Sequence, residues 1–388
     1  MNLSFLSIVV LLYGILTFPC TAKLVLRRFP LLSPVRSALL HSSISTPNDD
    51  AKDIAKDTNA NYEPIAQEVN KTDIDYTNIH QLSLSTVDDL LRKYPGRLVC
   101  AHTSLYSHCD IYLCGTMHVS KASLDLVKES IQCIRPNFVV LELCEDRLST
   151  LEEHDSNATA TSLRQILSSV LRERRFKDLG IELIGWMQQK AANLLSSKVG
   201  GEQCMAAREG YQTGAAVVLG DRKYSITMQR MMDKLTLLEK MKISFILICE
   251  TLTITVLKLR DYLQKSEADS TFIEDEIEQF TKHLPNVADV LISERDEYIA
   301  QTIHEVAERG FGPTPPPGAT ILHRGAIVAV IGAAHLSGVV RCLRQGKISP
   351  RRIREIASSS EVDSTWPGEG LLHVVNTTAL YATPANQE

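Results

Sequence analysis

The tightest constraint on this chain lies between Ile111 and Arg147, IYLCGTMHVSKASLDLVKESIQCIRPNFVVLELCEDR. Ile111 to Cys114 is a short apolar run closed by Gly115, which suits a buried strand. After a polar turn, Leu124, Val127, Ile131 and Ile134 step by three or four. That spacing predicts a helix capped by Ser120 or Ser123 and stopped by Pro136. Phe138 to Leu143 reads as a second buried strand. A strand–helix–strand unit of this length makes a right-handed crossover between parallel strands, so both strands finish on one edge of the sheet. In open α/β sheets that edge holds the ligand. His118 just past the first strand and Glu142 near the tip of the second are therefore expected to lie close, neighbouring strands being about 4.8 Å apart.

A second stretch repeats the pattern. Ala326 to Ile331 is an apolar strand, Gly332-Ala333-Ala334-His335 follows, and Leu336 to Val340 leads into a helix. Both histidines thus stand in a strand–Gly-x-x-His–helix unit, where glycine allows a sharp turn and the imidazole is presented at a helix N-terminus. The expected fold is α/β: a mixed, largely parallel sheet with flanking helices, both units at one edge, and helical insertions.

Other residues stand out against plainer readings. Glu202 begins a short helix, Gln203 to Gly210, where dipole compensation alone explains a carboxylate. Asp221 and Arg222 follow the apolar strand Ala215 to Leu219, as an active pair or as a structural turn. Thr271 to Arg309 reads as helical, broken at Pro285. In its second half Arg295 falls inside an apolar stripe of Ala288, Ile292, Ile299, Ile303 and Val306. A buried guanidinium needs a partner, so Arg295 either pairs with Glu142 or Asp221 or binds an anionic group of substrate, and Glu294 lies to one side.

Five motifs in order, GTMHVS, VVLELCEDR, LGDR, SERD and GAAHLSGV, resemble the TraB domain family, related to the pheromone-shutdown PrgY proteins and GumN. More distantly they resemble the Tiki membrane metalloproteases and the erythromycin esterases. The resemblance covers about Ile111 to Arg344. It implies a mixed α/β sheet with the paired Gly-x-x-His motifs and a glutamate at the active edge, LGDR included. For the Tiki branch it implies a divalent-metal-dependent peptidase; for the TraB-domain branch it implies a place at an organelle membrane, such as the mitochondrial outer membrane.

A divalent ion held by His118, His335 and Glu142 would have two imidazoles and a carboxylate, with positions open for water and substrate. The ion would lower the pKa of that water and polarise a carbonyl. Glu202, Glu294 or Asp221 would then serve as general base, and Arg222 or Arg295 would hold the developing oxyanion. A metal-free version uses one histidine as base with Glu142 orienting it. The two expected functions are a hydrolase acting on peptide or protein substrates near a membrane and a non-catalytic organiser at an organelle surface.

The rest of the chain bounds these readings. A net charge of −5 over 388 residues argues against nucleic acid as a partner. Nine cysteines with no C-x-x-C pair look like buried thiols rather than a disulfide or zinc framework. Residues 23–83 read as a polar linker, 84–345 as the α/β domain and 346–388 as a polar, loosely ordered tail. Arg172, Arg174, Arg175 and Lys177 read as a solvated helix face. Ile243 to Leu257 is too short, and carries Glu250 too centrally, to span a bilayer.

Residues 1–22 hold the apolar run Leu3 to Cys20, a membrane anchor or a cleaved signal peptide that would send the chain down the secretory pathway. Cations follow the run (Lys23, Arg27, Arg28, Arg36) and none precedes it, which favours an anchor with the bulk of the chain facing the cytosol. Three glycosylation triplets, at Asn70, Asn157 and Asn376, suit the opposite face. A C-terminal epitope is therefore expected to be digested when intact organelles are treated with protease; protection would place the chain in a lumen.

Overall fold

In the computed structural model Gly115 and Gly332, the glycines of the two Gly-x-x-His units, come to lie on adjacent strands. Residues 87–101, 108–117, 120–151, 200–240, 271–312, 325–360 and 372–381 are described, with a few short pieces between them. The apolar run at 3–20 and the expected linker lie outside the described residues. So do Arg174, Arg175 and Lys177 and most of 243–257.

The described residues form a five-stranded sheet. Its strands are β1 (Leu98–Ala101), β2 (Cys109–Thr116), β3 (Phe138–Leu141), β4 (Ala216–Leu219) and β5 (Gly325–Gly332), in the order β1-β2-β5-β3-β4. β1 runs antiparallel to β2, and β2, β5, β3 and β4 run parallel to one another. The expected mixed, mainly parallel α/β sheet is what forms. One detail differs: β2 and β3 are not neighbours. The last strand, β5, lies between them, pairing Thr116 with Gly332 on one side and Leu141 with Val330 on the other. Strand order depends on contacts far apart in the chain, which a local pattern does not encode.

Alternate residues of the strands feed two cores, the period-2 consequence of a pleated sheet covered on both faces. On one face Tyr112, Cys114, Val139, Leu141, Val328 and Val330 pack against α1 (Lys121–Ile134) and α2 (Gly201–Thr213). On the other, Ile111, Leu113, Val140, Val218, Ile327 and Ala329 pack against α4 (Glu294–Phe311) and α5 (Ala333–Gln345). α3 (Tyr224–Lys234) follows β4. Residues 87–93 are helical.

α1 starts after Ser120 and ends at Arg135, in the left-handed conformation at φ 48°. Of the four expected apolar positions Val127 and Ile131 are fully buried and Leu124 and Ile134 half-buried, and Ser123, Leu126 and Ser130 complete the buried face. Ser123 is accommodated in that face because its Oγ accepts from Met117 N and Arg97 Nη2, each at 2.8 Å. Beyond α5, a helix over Pro350–Ile356 is capped by Ser349. Within the expected polar tail, residues around His373 lie along β4: Leu219 N donates to His373 O at 2.9 Å, and Val375 N to Val217 O at 2.8 Å. Among the described residues no helix is long and apolar enough to cross a membrane.

Gly220 closes β4 against the end of β3, its N–H donating to Leu141 O at 2.7 Å. A Cβ there would stand 2.6 Å from Val140 Cγ1 and 2.8 Å from Leu141 O. Gly220→Ala is expected to lower the urea midpoint, by about 1–3 kcal/mol of stability, because backbone as well as side chain must shift.

Candidate functional site

The helix that carries Arg295 reaches the sheet edge through an irregular turn. After Pro285–Ala288 the chain forms a π-turn over Asp289–Ser293, then continues as α4. Such a turn holds one residue more than an α-turn and often marks a functional position. It delivers Glu294, Arg295 and Asp296, three consecutive charges, into the interior at 0%, 1% and 2% exposure.

Arg295 is the hub of the first cluster. Its Nη2 donates to Glu142 Oε1 at 2.5 Å and to Asp221 Oδ2 at 2.7 Å, and its Nε to Asp221 Oδ1 at 3.1 Å. Its Nη1 lies 3.1 Å from His335 Nε2. Glu142 and Asp221 come from the ends of β3 and β4, and His335 from the first turn of α5, so the parallel strands present all three at one edge. Glu142 Oε2 accepts from Gly332 N, tying β3 to the end of β5. Of the alternatives open for Arg295, pairing with the strand-tip acids is the one built here.

His335 has a second carboxylate behind it. Its Nδ1 is 2.7 Å from Asp296 Oδ1, and its Nε2 is 3.5 Å from Glu142 Oε1. A guanidinium can only donate, so Nε2 accepts and Nδ1–H donates to Asp296. Gly338, one turn along α5, makes this possible: a Cβ there would fall 1.8 Å from Asp296 Oδ2. Sequence reasoning passed over Asp296, although it stands in the SERD motif. The available signals were three successive charges in an apolar stripe and a glycine three residues after His335.

A second cluster forms around Glu294. Its carboxylate accepts from Arg222 Nη1 at 2.7 Å, Arg230 Nη2 at 2.7 Å and Lys234 Nζ at 2.8 Å. Arg222 is fully buried, and its remaining donors reach Thr227 Oγ1, Val290 O and Ile356 O. It has no donor turned to the His335 side. Arg222 and Glu294, expected as oxyanion holder and base, instead lock α3, α4 and the helix over Pro350–Ile356 together. Glu202 is buried in the first turn of α2. Gln203 beside it donates to Val330 O at 3.3 Å, so this helix start lies over the strand tips. His118 lies outside the described residues.

Burial and charge sort the acids. Burial alone would raise Asp221, but Arg295 holds it at about 2. Burial likewise opposes ionisation of Glu294, yet Arg230 and Arg222 bring it to about 2. Neither is a competent base near neutrality. Asp296 moves the other way, raised by burial against the pull of His335. Burial alone would lower the pKa of the Arg295 guanidinium, but Asp221 and Glu142 outweigh it and raise it.

The expected divalent ion meets an obstacle here. Glu142 Oε1, Asp221 and His335 Nε2 are donors suited to a cation, but the cation they surround is Arg295. Among the described residues no group of three or more His, Cys, Asp or Glu side chains is set to hold a metal ion. With His118 outside the described residues, a divalent ion at Glu142 and His335 would have to displace the guanidinium that the described acids now surround.

Asp221 and Glu294 have folded pKa values below the ordinary 3.8 and 4.5, so the unfolded chain takes up protons more readily. Their stabilisation is complete above about pH 4.5 and is lost as pH falls toward about 2. Urea midpoints measured down that range are expected to drop steadily. The slope should be shallower in Asp221→Asn.

Comparison with known proteins agrees with the motif order. An uncharacterized protein of Methanocaldococcus jannaschii is 29% identical over 259 residues, covering 64% of this chain and 57% of that one. The TraB domain-containing proteins of Bos taurus and Homo sapiens are each 24% identical over 241 residues, 59% of this chain and 61% of theirs. The chain thus spans between 57% and 61% of the length of these curated relatives. The TraB/PrgY/gumN family matches residues 104–352, a stretch that holds both Gly-x-x-His units and every ionisable side chain of the two buried clusters. On that match the chain belongs to the TraB/PrgY/gumN family.

Proposed function

We propose that the chain is a hydrolase of peptide or amide bonds in which His335 moves the proton and Arg295, rather than a bound divalent ion, is the cation of the centre. The observation that carries this reading is the line Asp296–His335–Glu142, with spacings of 2.7 and 3.5 Å, at the ligand-holding edge of the sheet. Asp296 fixes the ring so that the Nε2 lone pair points to the reaction side. When a substrate carbonyl enters, Nη1 of Arg295 turns from the ring to the carbonyl oxygen. Nε2 then accepts a proton from water as the water oxygen bonds to carbon, and the charge that develops on the oxyanion is met by the guanidinium. On collapse the carbon–nitrogen bond breaks and the same proton passes from Nε2 to the leaving amine. Glu142 keeps Arg295 and the ring in register throughout. The place of action we propose is a membrane surface, on the strength of the apolar run Leu3 to Cys20 and the cations after it.

One observation favours a second reading. Glu142, Asp221, Arg295 and His335 satisfy one another at 1%, 8%, 1% and 1% exposure, as a purely structural network would. In that case the chain is a non-catalytic organiser. The readings separate in one experiment: purified protein is assayed on a panel of peptide, amide and ester substrates, with metal analysis and chelation alongside. His335→Ala is expected to lose about 100-fold or more of the rate, and Asp296→Asn somewhat less. Chelation should leave the rate unchanged, with no stoichiometric ion present. Loss of activity on chelation would return the centre to metal chemistry. Equal inactivity of wild type and variants, all folded, would favour the organiser.

A further inference from the structure

The VVLELCEDR stretch ends in a charge that the proposed chemistry leaves unused. Arg147 is 3% exposed, in the 3-10 turn Glu145–Leu151 that follows β3. Its Nη2 donates to the carbonyl oxygen of Glu142, and its Nε is buried with no acceptor among the described residues. No carboxylate among the described residues pairs with it. Among the described residues the nearby acids have other partners, and the only pull Arg147 exerts on one of them is its share in keeping Asp221 ionised. Glu145 pairs with His373 at 2.7 Å and Lys223 at 3.3 Å. Asp146 turns to the start of α3, accepting from Ser225 N and Oγ at 3.3 and 3.2 Å. Asp221 and Glu142 are held by Arg295. A buried guanidinium with an idle donor is unfavourable unless an anion completes it.

We propose that Arg147 binds a carboxylate of the substrate beside Glu142 and Asp221. With Nη2 held by the Glu142 carbonyl, the adjacent Nε–H is the donor left idle, and it lies on the edge of the planar guanidinium that a carboxylate engages. The two acids next to it make a singly charged ligand a better match than doubly charged phosphate, which they would repel more strongly. The Arg147 contact to the Glu142 carbonyl also joins the binding group to the strand tip that carries Arg295. An occupied Arg147 site therefore sets the substrate at a fixed offset from His335. This assignment rests on the hydrolase reading for its word substrate, but the binding itself is measured without turnover.

The full chain and Arg147→Met are titrated calorimetrically with N-acetylglycylglycine, with its C-terminal amide and with inorganic phosphate. The acid is expected to bind wild type about tenfold or more tightly than the amide, and Arg147→Met to lose that preference with its circular dichroism unchanged. If Arg147→Met does not fold, Arg147→Lys keeps the charge without the fork and is expected to weaken acid binding in the same direction. Equal affinity for acid and amide in wild type overturns the proposal, as does an undiminished acid preference in the folded variant. Tighter binding of phosphate than of the acid overturns the carboxylate assignment. His335→Ala is expected to keep the acid preference. A chain that keeps it while hydrolysing nothing sinks the hydrolase reading alone, and one that hydrolyses without it sinks only the Arg147 site.

Discussion

Neutralising one buried guanidinium organises the sheet edge. Arg295 reaches the interior from α4, and without partners its burial would be prohibitive. The acids that offset it come from two different strands, Glu142 after β3 and Asp221 after β4, while His335 approaches from α5. Because desolvation of these ions roughly cancels their attraction, the group contributes specificity more than net stability. It fixes which strands stand beside which and how far α4 slides along the sheet. Glu142 extends the tie to Gly332 N, so β5 is held by the same acid.

The two clusters divide labour by their surroundings rather than by residue type. Glu294 and Arg295 are consecutive, yet one faces α3 and three cations while the other faces the strand tips. Three cations on Glu294 fill both of its oxygens and make a clamp. The Arg295 side differs in holding an imidazole between two carboxylates, while Asp221 and Glu294 are both kept ionised by the cations against them. That contrast is the physical reason for placing chemistry at the first cluster.

Much of the fold was legible because strands β2, β3, β4 and β5 are Val-, Ile- and Leu-rich runs closed by glycine or a polar turn. The need of Arg295 for Glu142 or Asp221 was legible too, since a charge inside an apolar stripe admits few solutions. Other features were not. Arg222 follows Asp221 directly, but at a strand end adjacent side chains diverge, and only the packing of α3 and α4 shows that it turns from the edge. Asp296 sits one position past Arg295, and only the packing of α4 against α5 shows that it turns inward to His335. Arg147 was read as the end of a motif. Its idle donor emerges only once the acids around it have found other partners.

The place of β5 has a consequence for the order of assembly. β1 with β2 and β3 with β4 are two strand pairs that share no ladder until β5 inserts between them. β5 is the last of the five to be synthesised, and its partners Leu113 and Val140 lie far back in the chain. Non-local closure of this kind is slow, and it leaves strand edges unpaired while the ribosome completes the chain. The same strand also delivers His335. A nascent chain therefore cannot complete the buried charge cluster of that edge on an unfinished sheet.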